Sequence, residues 1–365
     1  MVPRLKVLCM LLVRRIFCHE FRFCTDELVD YWTEDVLDMI LLLEEKTGCK
    51  DYWLCAMVPL CYTARLLDYF QKRFWVGDIL KGGARGGNME LIEFAVAKGA
   101  NEFESAMKHA AEGGHLGVID FFVEKGAGNP HTWNRILENA SENGHFEVVR
   151  RAITEGATRF EDVLYNGAYL GREDIIQLAI SHGANEWNQA MFGSIYGAHN
   201  DWVMFFIEKG ADDWDQGLLN SISCRNLEMF DLMIEKGADA KLPKYLERLL
   251  RIVGEGNHWD VDVEMARRLL DKGADPNLHR DKMPSALARD CRDGAIEFTR
   301  LLLEHDMKPV DEFLLTCAIC QNDRLRDLLV EFGASIENVL EYISKKGWKD
   351  NRVGQRVRKF LLKEE

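Results

Sequence analysis

Residues 124–127 read Glu-Lys-Gly-Ala, and the same four residues return at 208–211 and again at 235–238. The Gly-Ala pair is the constant part of this motif, and six copies in one run are separated by 27, 30, 27, 27 and 27 residues. The pairs begin at Gly99, Gly126, Gly156, Gly183, Gly210 and Gly237, with two more at Gly273 and Gly333. A fixed period of this size predicts a solenoid, a stack of small units that share one continuous core.

One unit, from Ser105 to Ala127, shows two helical segments joined by a glycine turn. The first segment carries Met107 and Ala110 at helical spacing and stops at Gly113-Gly114, because glycine tolerates the left-handed backbone of a tight turn. The second segment has the apolar pattern of a helix buried on one face, at Val118, Ile119, Phe122 and Val123. Gly126 ends this helix, so the predicted unit is helix, tight turn, helix and loop.

The other units keep the same residue types in the same slots. The first helix holds a small residue at Gly83, Ala110, Ala140, Gly167, Ser194, Ser221 and Cys317. An aromatic residue stands two positions before the predicted first helix, at Phe103, Trp133, Phe160, Trp187 and Trp214. We expect the small residues to let neighbouring helices approach closely, and the aromatic rings to pack the loops between units.

Several stretches carry a family resemblance. Residues 110–116 (Ala-Ala-Glu-Gly-Gly-His-Leu) and 143–149 (Asn-Gly-His-Phe-Glu-Val-Val) resemble the first helix, Gly-His turn and second helix of the ankyrin repeat. Residues 288–309 are closer still, and residues 273–277 ahead of them are similar to the end of one ankyrin repeat and the entry to the next. From Gly273 to the equivalent Asp306 is 33 residues, which is the ordinary ankyrin period.

The resemblance covers residues 75–335 and has clear departures. A 27-residue unit is six residues short of the ankyrin period, which predicts a trimmed or absent β-hairpin, and the Thr-Pro-Leu-His start of the usual first helix is missing. The short unit, with Asn-Glu-Trp-Asn at 185–188 and Asp-Asp-Trp-Asp at 212–215, is similar to ankyrin-type families of large DNA viruses. That similarity implies an infected host cell as the setting and a host or viral protein as the partner.

The predicted fold class is all-α, an ankyrin-like solenoid of nine helix-turn-helix repeats with helical caps at both ends. Residues 75–334 form the repeats, residues 335–365 form basic capping helices, and residues 1–74 form a helical cap or degenerate repeats. Asp26-Glu27-Leu28-Val29 is similar to the start of an F-box. This similarity implies an alternative function, a substrate adaptor that docks a ubiquitin-ligase component through its N-terminal helices.

Charge is unevenly distributed along the chain. The total is −14, residues 1–22 carry +4 and residues 345–365 carry +5, which leaves −23 for the residues between them. Such an acidic body repels nucleic acid and membrane surfaces and favours a partner protein with a basic surface. No apolar run approaches the ~18–20 residues that span a membrane. We expect an intracellular, cytoplasmic monomer, with a nuclear location left open. In such a chain the ten cysteines are expected to be free thiols rather than a disulfide framework.

Few motifs suggest chemistry. Gly82–Gly87 lacks the Gly-Lys-Ser/Thr ending of a phosphate loop and fits the register as a helix end and turn. Cys317-x-x-Cys320 lacks a second ligand pair for zinc. His115, His145 and His199 share one slot, which predicts rings that bond loop backbone. Buried thiols are expected at Cys9, Cys18, Cys24, Cys49, Cys55 and Cys61, and a metal or redox site there is the alternative. We therefore expect no enzyme activity, cofactor or small-molecule substrate.

The candidate binding site lies on the concave face of the first helices, where ankyrin-like proteins vary to suit partners. Tyr165 and Tyr169, and Phe192 and Tyr196, are i, i+4 neighbours on consecutive repeats, beside Glu138 and Glu142. These side chains predict a non-catalytic scaffold that binds a protein, and mutual packing between repeats is the alternative interpretation. A second alternative is nucleic-acid or acidic-surface binding by the basic, amphipathic residues 345–359.

Overall fold

The chain is described by a computed structural model over residues 76–252, 259–277, 287, 293–308, 310–348 and 351–363. These ranges contain α-helices and no β-strand, which confirms the all-α fold class for them. The helices are α1 (Val76–Arg85), α2 (Met89–Ala97), α3 (Phe103–Glu112), α4 (Leu116–Glu124), α5 (Pro130–Glu142), α6 (Phe146–Thr154), α7 (Phe160–Leu170), α8 (Glu173–Ser181), α9 (Trp187–Tyr196), α10 (Asn200–Lys209), α11 (Trp214–Cys224), α12 (Leu227–Lys236), α13 (Pro243–Ile252), α14 (Trp259–Asp271), α15 (Asp293–Glu304), α16 (Val310–Cys320), α17 (Asp323–Glu331), α18 (Ile336–Lys345) and α19 (Arg352–Leu362). None of them is long and apolar enough to cross a membrane.

Tight turns join these helices in pairs. Helix α3 ends at Glu112, Gly114 takes a left-handed φ of 76°, and α4 begins at Leu116. A left-handed residue follows several other first helices, and where it is Ala198 or Arg225 the same conformation is reached without glycine. The helix, turn and helix order expected from the unit at Ser105–Ala127 is therefore present.

The chain divides into two compact units, Met1–Thr158 and Arg159–Glu365, and the division falls inside the predicted repeat region. In the described part of the first unit, α3 contacts both α1 and α5, so the first helices of successive pairs lie side by side. In the second unit, α7, α9, α11 and α13 contact one another in succession in the same way. Second helices α2, α4 and α6, like α8, α10 and α12, contact the first helix of their own pair.

Each second helix buries one apolar stripe. In α4 the buried residues are Val118, Ile119 and Phe122, while Val123 is partly exposed. Equivalent sets are Leu91, Ile92 and Ala95; Val148, Val149 and Ala152; Ile175, Ile176 and Ala179; and Met229, Phe230 and Met233. Burial of one such large side chain contributes about 1.5–3 kcal/mol. Helices of 9 residues are too short to be stable alone, so this stripe holds them in place.

The small slot of the first helix brings the two helices of a pair together. A Cβ at Gly167 would lie 2.9 Å from Cγ2 of Ile175 and 3.1 Å from the backbone nitrogen of Ile176. Likewise, a Cβ at Gly83 would lie 3.1 Å from the Cβ of Leu91. A larger side chain in this slot would push the second helix away, as the sequence pattern predicts.

The aromatic slot lies inside the first helix, so the predicted two-residue gap before that helix is wrong. Helices α3, α7, α9 and α11 begin at their aromatic residue, and Trp133 lies in the first turn of α5. The residue after each aromatic residue has a side chain that accepts hydrogen bonds from the following loop. Asn188 Oδ1 accepts hydrogen bonds from the backbone amides of Asp212 and Asp213 at 2.8 and 3.0 Å. Glu104, Asn134, Glu161, Asp215 and Asp311 do the same for an amide 24 residues further on.

Candidate protein-binding surface

Gly193 within α9 and Gly197 directly after it set the distance of this helix from α7. A Cβ at Gly193 would lie 2.7 Å from the carbonyl oxygen of Tyr165, and a Cβ at Gly197 would overlap the carbonyl oxygen of Tyr169. Helix α9 therefore rests directly on the backbone of α7, and this contact requires glycine at both positions. The close approach also brings the tyrosines of the two helices together.

The predicted aromatic residues of these two helices are not equally accessible. Tyr169 and Tyr196 are 37% and 41% exposed, whereas Phe192 is buried at 7%. Tyr165 is half-buried, and burial together with the nearby hydroxyls of Tyr196 and Tyr169 raises its pKa. We call Tyr165, Tyr169 and Tyr196 the tyrosine face. Phe192 belongs to the interior beside it, which corrects the expectation of four accessible rings.

A polar network fixes one end of the tyrosine face. The hydroxyl of Tyr196 donates to Asn220 Oδ1 at 3.0 Å, and Gln216 Nε2 donates to the same oxygen at 2.9 Å. Asn220 is buried on α11, so its amide needs these partners. On the next helix, Arg248 Nε donates to Ser223 Oγ at 3.0 Å. The sequence reading missed this network.

Glu138 and Glu142 lie on α5, which belongs to the other compact unit. Glu142 is exposed, and Arg135 Nη1 donates to Glu138 Oε2 at 2.8 Å. The two units are described separately, so the expectation that these carboxylates adjoin the tyrosines stays a prediction.

The equivalent face of the first unit is charged. Arg85 lies 3.5 Å from a Glu112 carboxylate oxygen, and His109 Nδ1 lies 3.2 Å from the same oxygen. The hydrogen bond from His109 lowers the pKa of Glu112, and the charge of Arg85 adds to this effect. Asn139 Nδ2 donates to the carbonyl oxygen of Lys108 at 3.2 Å. The tyrosine face therefore differs from the charged face of the first unit.

The repeated histidines are architectural. His145 Nε2 lies 3.0 Å from the carbonyl oxygen of Glu112, the last residue of α3. His115 makes the corresponding hydrogen bond to the backbone of Arg85, and burial lowers the pKa of this ring. A Cβ at Gly114 would overlap the His145 ring, so the turn glycine makes room for it. The predicted bond to backbone is confirmed for His115 and His145, although the carbonyl belongs to a helix end rather than a loop.

The glycine-rich segment and the two cysteines near residue 320 lie within helices and turns. Gly82 and Gly83 are buried within α1, and Gly87 forms the turn that follows with φ 69°. Cys317 is buried in the small slot of α16, and Cys320 is a free thiol. The described ranges contain no group of three histidine, cysteine or acidic side chains positioned to hold a metal ion. Residues 26–29 and the six N-terminal cysteines lie outside those ranges.

The sequence of this chain matches no family model and no curated protein. The ankyrin and viral similarities therefore rest on the residues quoted above. The helical pairs of the described residues are compatible with a repeat architecture.

Proposed function

We propose that this chain is a non-catalytic scaffold, an ankyrin-like helical solenoid of nine repeats that binds a partner protein through its tyrosine face. Successive contacts among the first helices within each unit support a stack of repeats. The 27-residue spacing of the Gly-Ala pairs supports the short viral type of ankyrin-like unit. The proposed setting is an infected host cell, with a host or viral protein as the partner.

The observation that carries the proposal is the pair of exposed tyrosines on neighbouring first helices. Tyr169 and Tyr196 project from α7 and α9, whose spacing is fixed by Gly193 and Gly197. Tyrosine is enriched at binding hot spots because it buries a large ring and keeps a hydroxyl for a hydrogen bond. The bond to Asn220 restrains the Tyr196 ring before binding, which reduces the entropy lost when a partner docks.

Photochemical crosslinking tests this proposal directly. A photoreactive phenylalanine analogue replaces Tyr196 in the full chain, and this variant is expressed in cells of the proposed host. The matched control carries the same analogue at Tyr342, which is 45% exposed and lies on α18. We expect a discrete crosslinked protein from position 196 that is absent from position 342. Identical products from both positions would contradict a specific tyrosine face.

A further inference from the structure

A shallow groove separates the second helices α10 and α12 of the second unit. Its volume is about 350 Å³ and its apolar lining comes from Met204, Met229 and Leu232. Met204 is 41% exposed, whereas Met229 is buried at the base of the groove. The groove therefore offers the flexible thioether of Met204, which adapts to different side chains.

The rim of this groove is acidic. Asp201, Glu228 and Glu235 line it, and none of them forms a salt bridge with a cation in the described part of the chain. The neutral side-chain amide of Asn200 donates through Nδ2 to Glu228 Oε2 at 2.5 Å. Asp231 also lines the groove and pairs with Arg268. A fitting partner would place cations around an apolar centre.

The C-terminal helix α19 has that chemistry. Arg352, Arg356 and Lys359 are exposed and follow the i, i+4, i+7 spacing of one helical face. Val353 and Leu362 are exposed apolar residues on the same helix. No carboxylate among the described residues forms a salt bridge with these three cations. Helix α19 is therefore basic and amphipathic on a surface that the other described residues leave uncovered.

Contacts with α17 hold α19 in position. The guanidinium of Arg326 lies 4.7 Å from the centre of the Phe360 ring, and its Nη1 donates to the Phe360 carbonyl oxygen at 3.1 Å. Lys363 pairs with Asp327 at 3.3 Å. Within one molecule α19 packs on α16 and α18, while α10 and α12 pack on α9 and α11. The groove and α19 are therefore both part of the second unit. A contact between them would join two molecules.

We propose that α19 of one copy docks in the groove between α10 and α12 of a second copy. Arg356 and Lys359 would face the carboxylates of the rim, and Val353 or Leu362 would contact Met204. The contact is head-to-tail, because each copy keeps one groove and one helix free for another molecule. It replaces the expectation of a monomer with concentration-dependent self-association. The net charge of −14 opposes this association at long range, and salt screens the repulsion beyond ~8 Å.

A complementation experiment by sedimentation velocity tests the contact with the full chain. The helix variant is Arg356→Glu with Lys359→Glu, and the groove variant is Glu228→Lys with Glu235→Lys. We expect the wild-type chain to sediment faster as its concentration rises and each variant alone to stay monomeric. An equimolar mixture should form dimers that grow no further, because it contains one intact groove and one intact helix per pair.

The controls separate this contact from general charge effects and from misfolding. Lys98→Glu with Lys125→Glu changes the net charge as much as the helix variant does, at exposed positions of the first unit, and should associate like wild type. Circular dichroism melts check that every variant is folded. A wild-type chain that stays monomeric at all concentrations overturns the proposal. The proposal is also overturned if the wild-type chain stays monomeric and binds single-stranded RNA through Arg356 and Lys359, because α19 would then bind a different ligand.

Discussion

The hydroxyl of Tyr196 on α9 donates a 3.0 Å hydrogen bond to the buried side-chain oxygen of Asn220 on α11. This bond links an exposed ring to a buried amide that Gln216 also contacts. Because the bond orders the ring without covering it, one face of Tyr196 stays available to a partner. Order and exposure in the same side chain distinguish this residue from the buried aromatic residues of the core.

Tyr196→Phe removes this hydroxyl and keeps the ring. We expect a loss of about 0.5–1.5 kcal/mol in the free energy of unfolding, the usual value for one hydrogen bond. Gln216 still bonds Asn220, so the amide is not orphaned. Urea unfolding followed by circular dichroism measures the change, with Tyr342→Phe as the control. A loss of about 3 kcal/mol or more would contradict a contribution from one hydrogen bond alone.

Gly197→Ala tests the contact between α9 and α7. The added methyl would overlap the carbonyl oxygen of Tyr169, so the helices must separate, and we expect a loss of about 1–3 kcal/mol. The matched control is Gly117→Ala in α4, where a Cβ has no neighbour within 4 Å. Alanine favours the helix there and should stabilise the protein by up to about 1 kcal/mol. Equal effects of the two substitutions would mean that α9 and α7 are less closely packed.

The stability of the protein should depend on the protonation of His115. Burial lowers its pKa in the folded state below the ordinary value of 6.5, so the unfolded state binds more protons between the two pKa values. Its contribution is complete above about pH 6.5 and is lost as the pH falls toward the folded-state pKa. Urea midpoints at about pH 7.5 and about pH 5.5, roughly one unit either side of the ordinary pKa, should differ more in wild type than in His115→Asn. Asparagine suits this control because Asn88 occupies the same slot. Identical pH dependence in both proteins would remove His115 as the cause.

Asn188→Ala should loosen the loop that leads into α11. The substitution removes the acceptor for the amides of Asp212 and Asp213, and we expect a loss of about 1–3 kcal/mol. Faster hydrogen exchange confined to these two amides and their neighbours would identify the cause. Gln189→Ala, at the exposed position next along α9, is the control and should leave the exchange unchanged. Unaltered exchange in Asn188→Ala would show that solvent replaces the bond without loss.

Much of the fold could be predicted because the regular spacing of the Gly-Ala pairs aligns equivalent positions of successive units. The apolar residues of the second helices, such as Val118 and Phe122, are buried as their spacing predicts. The predicted start of the first helix was two residues too late relative to the aromatic residue, because the sequence signal for a helix start is a capping residue. At α9 the residue before the helix, Glu186, makes no such cap, and Asn188 instead bonds the next loop.

The binding surface was harder to predict than the fold. Spacing placed Phe192 and Tyr196 on one helical face, but periodicity within one helix does not report what the next helix covers. Phe192 is buried, whereas Tyr196 is exposed. The bond to Asn220 spans 24 residues, the same interval that separates loop amides from their acceptors. A search for polar side chains at that interval would have found it.

Partner binding by Tyr169→Ala with Tyr196→Ala tests the central claim most directly. The measurement is the affinity of this double variant for the protein crosslinked at position 196, compared with wild type and with Tyr342→Ala. We predict that the double variant stays folded, with a lower melting temperature because the bond from Tyr196 to Asn220 is lost. It should lose binding by at least about 30-fold, the effect of one hot spot of about 2 kcal/mol. Tyr342→Ala should bind like wild type. A folded double variant with wild-type affinity would contradict the account.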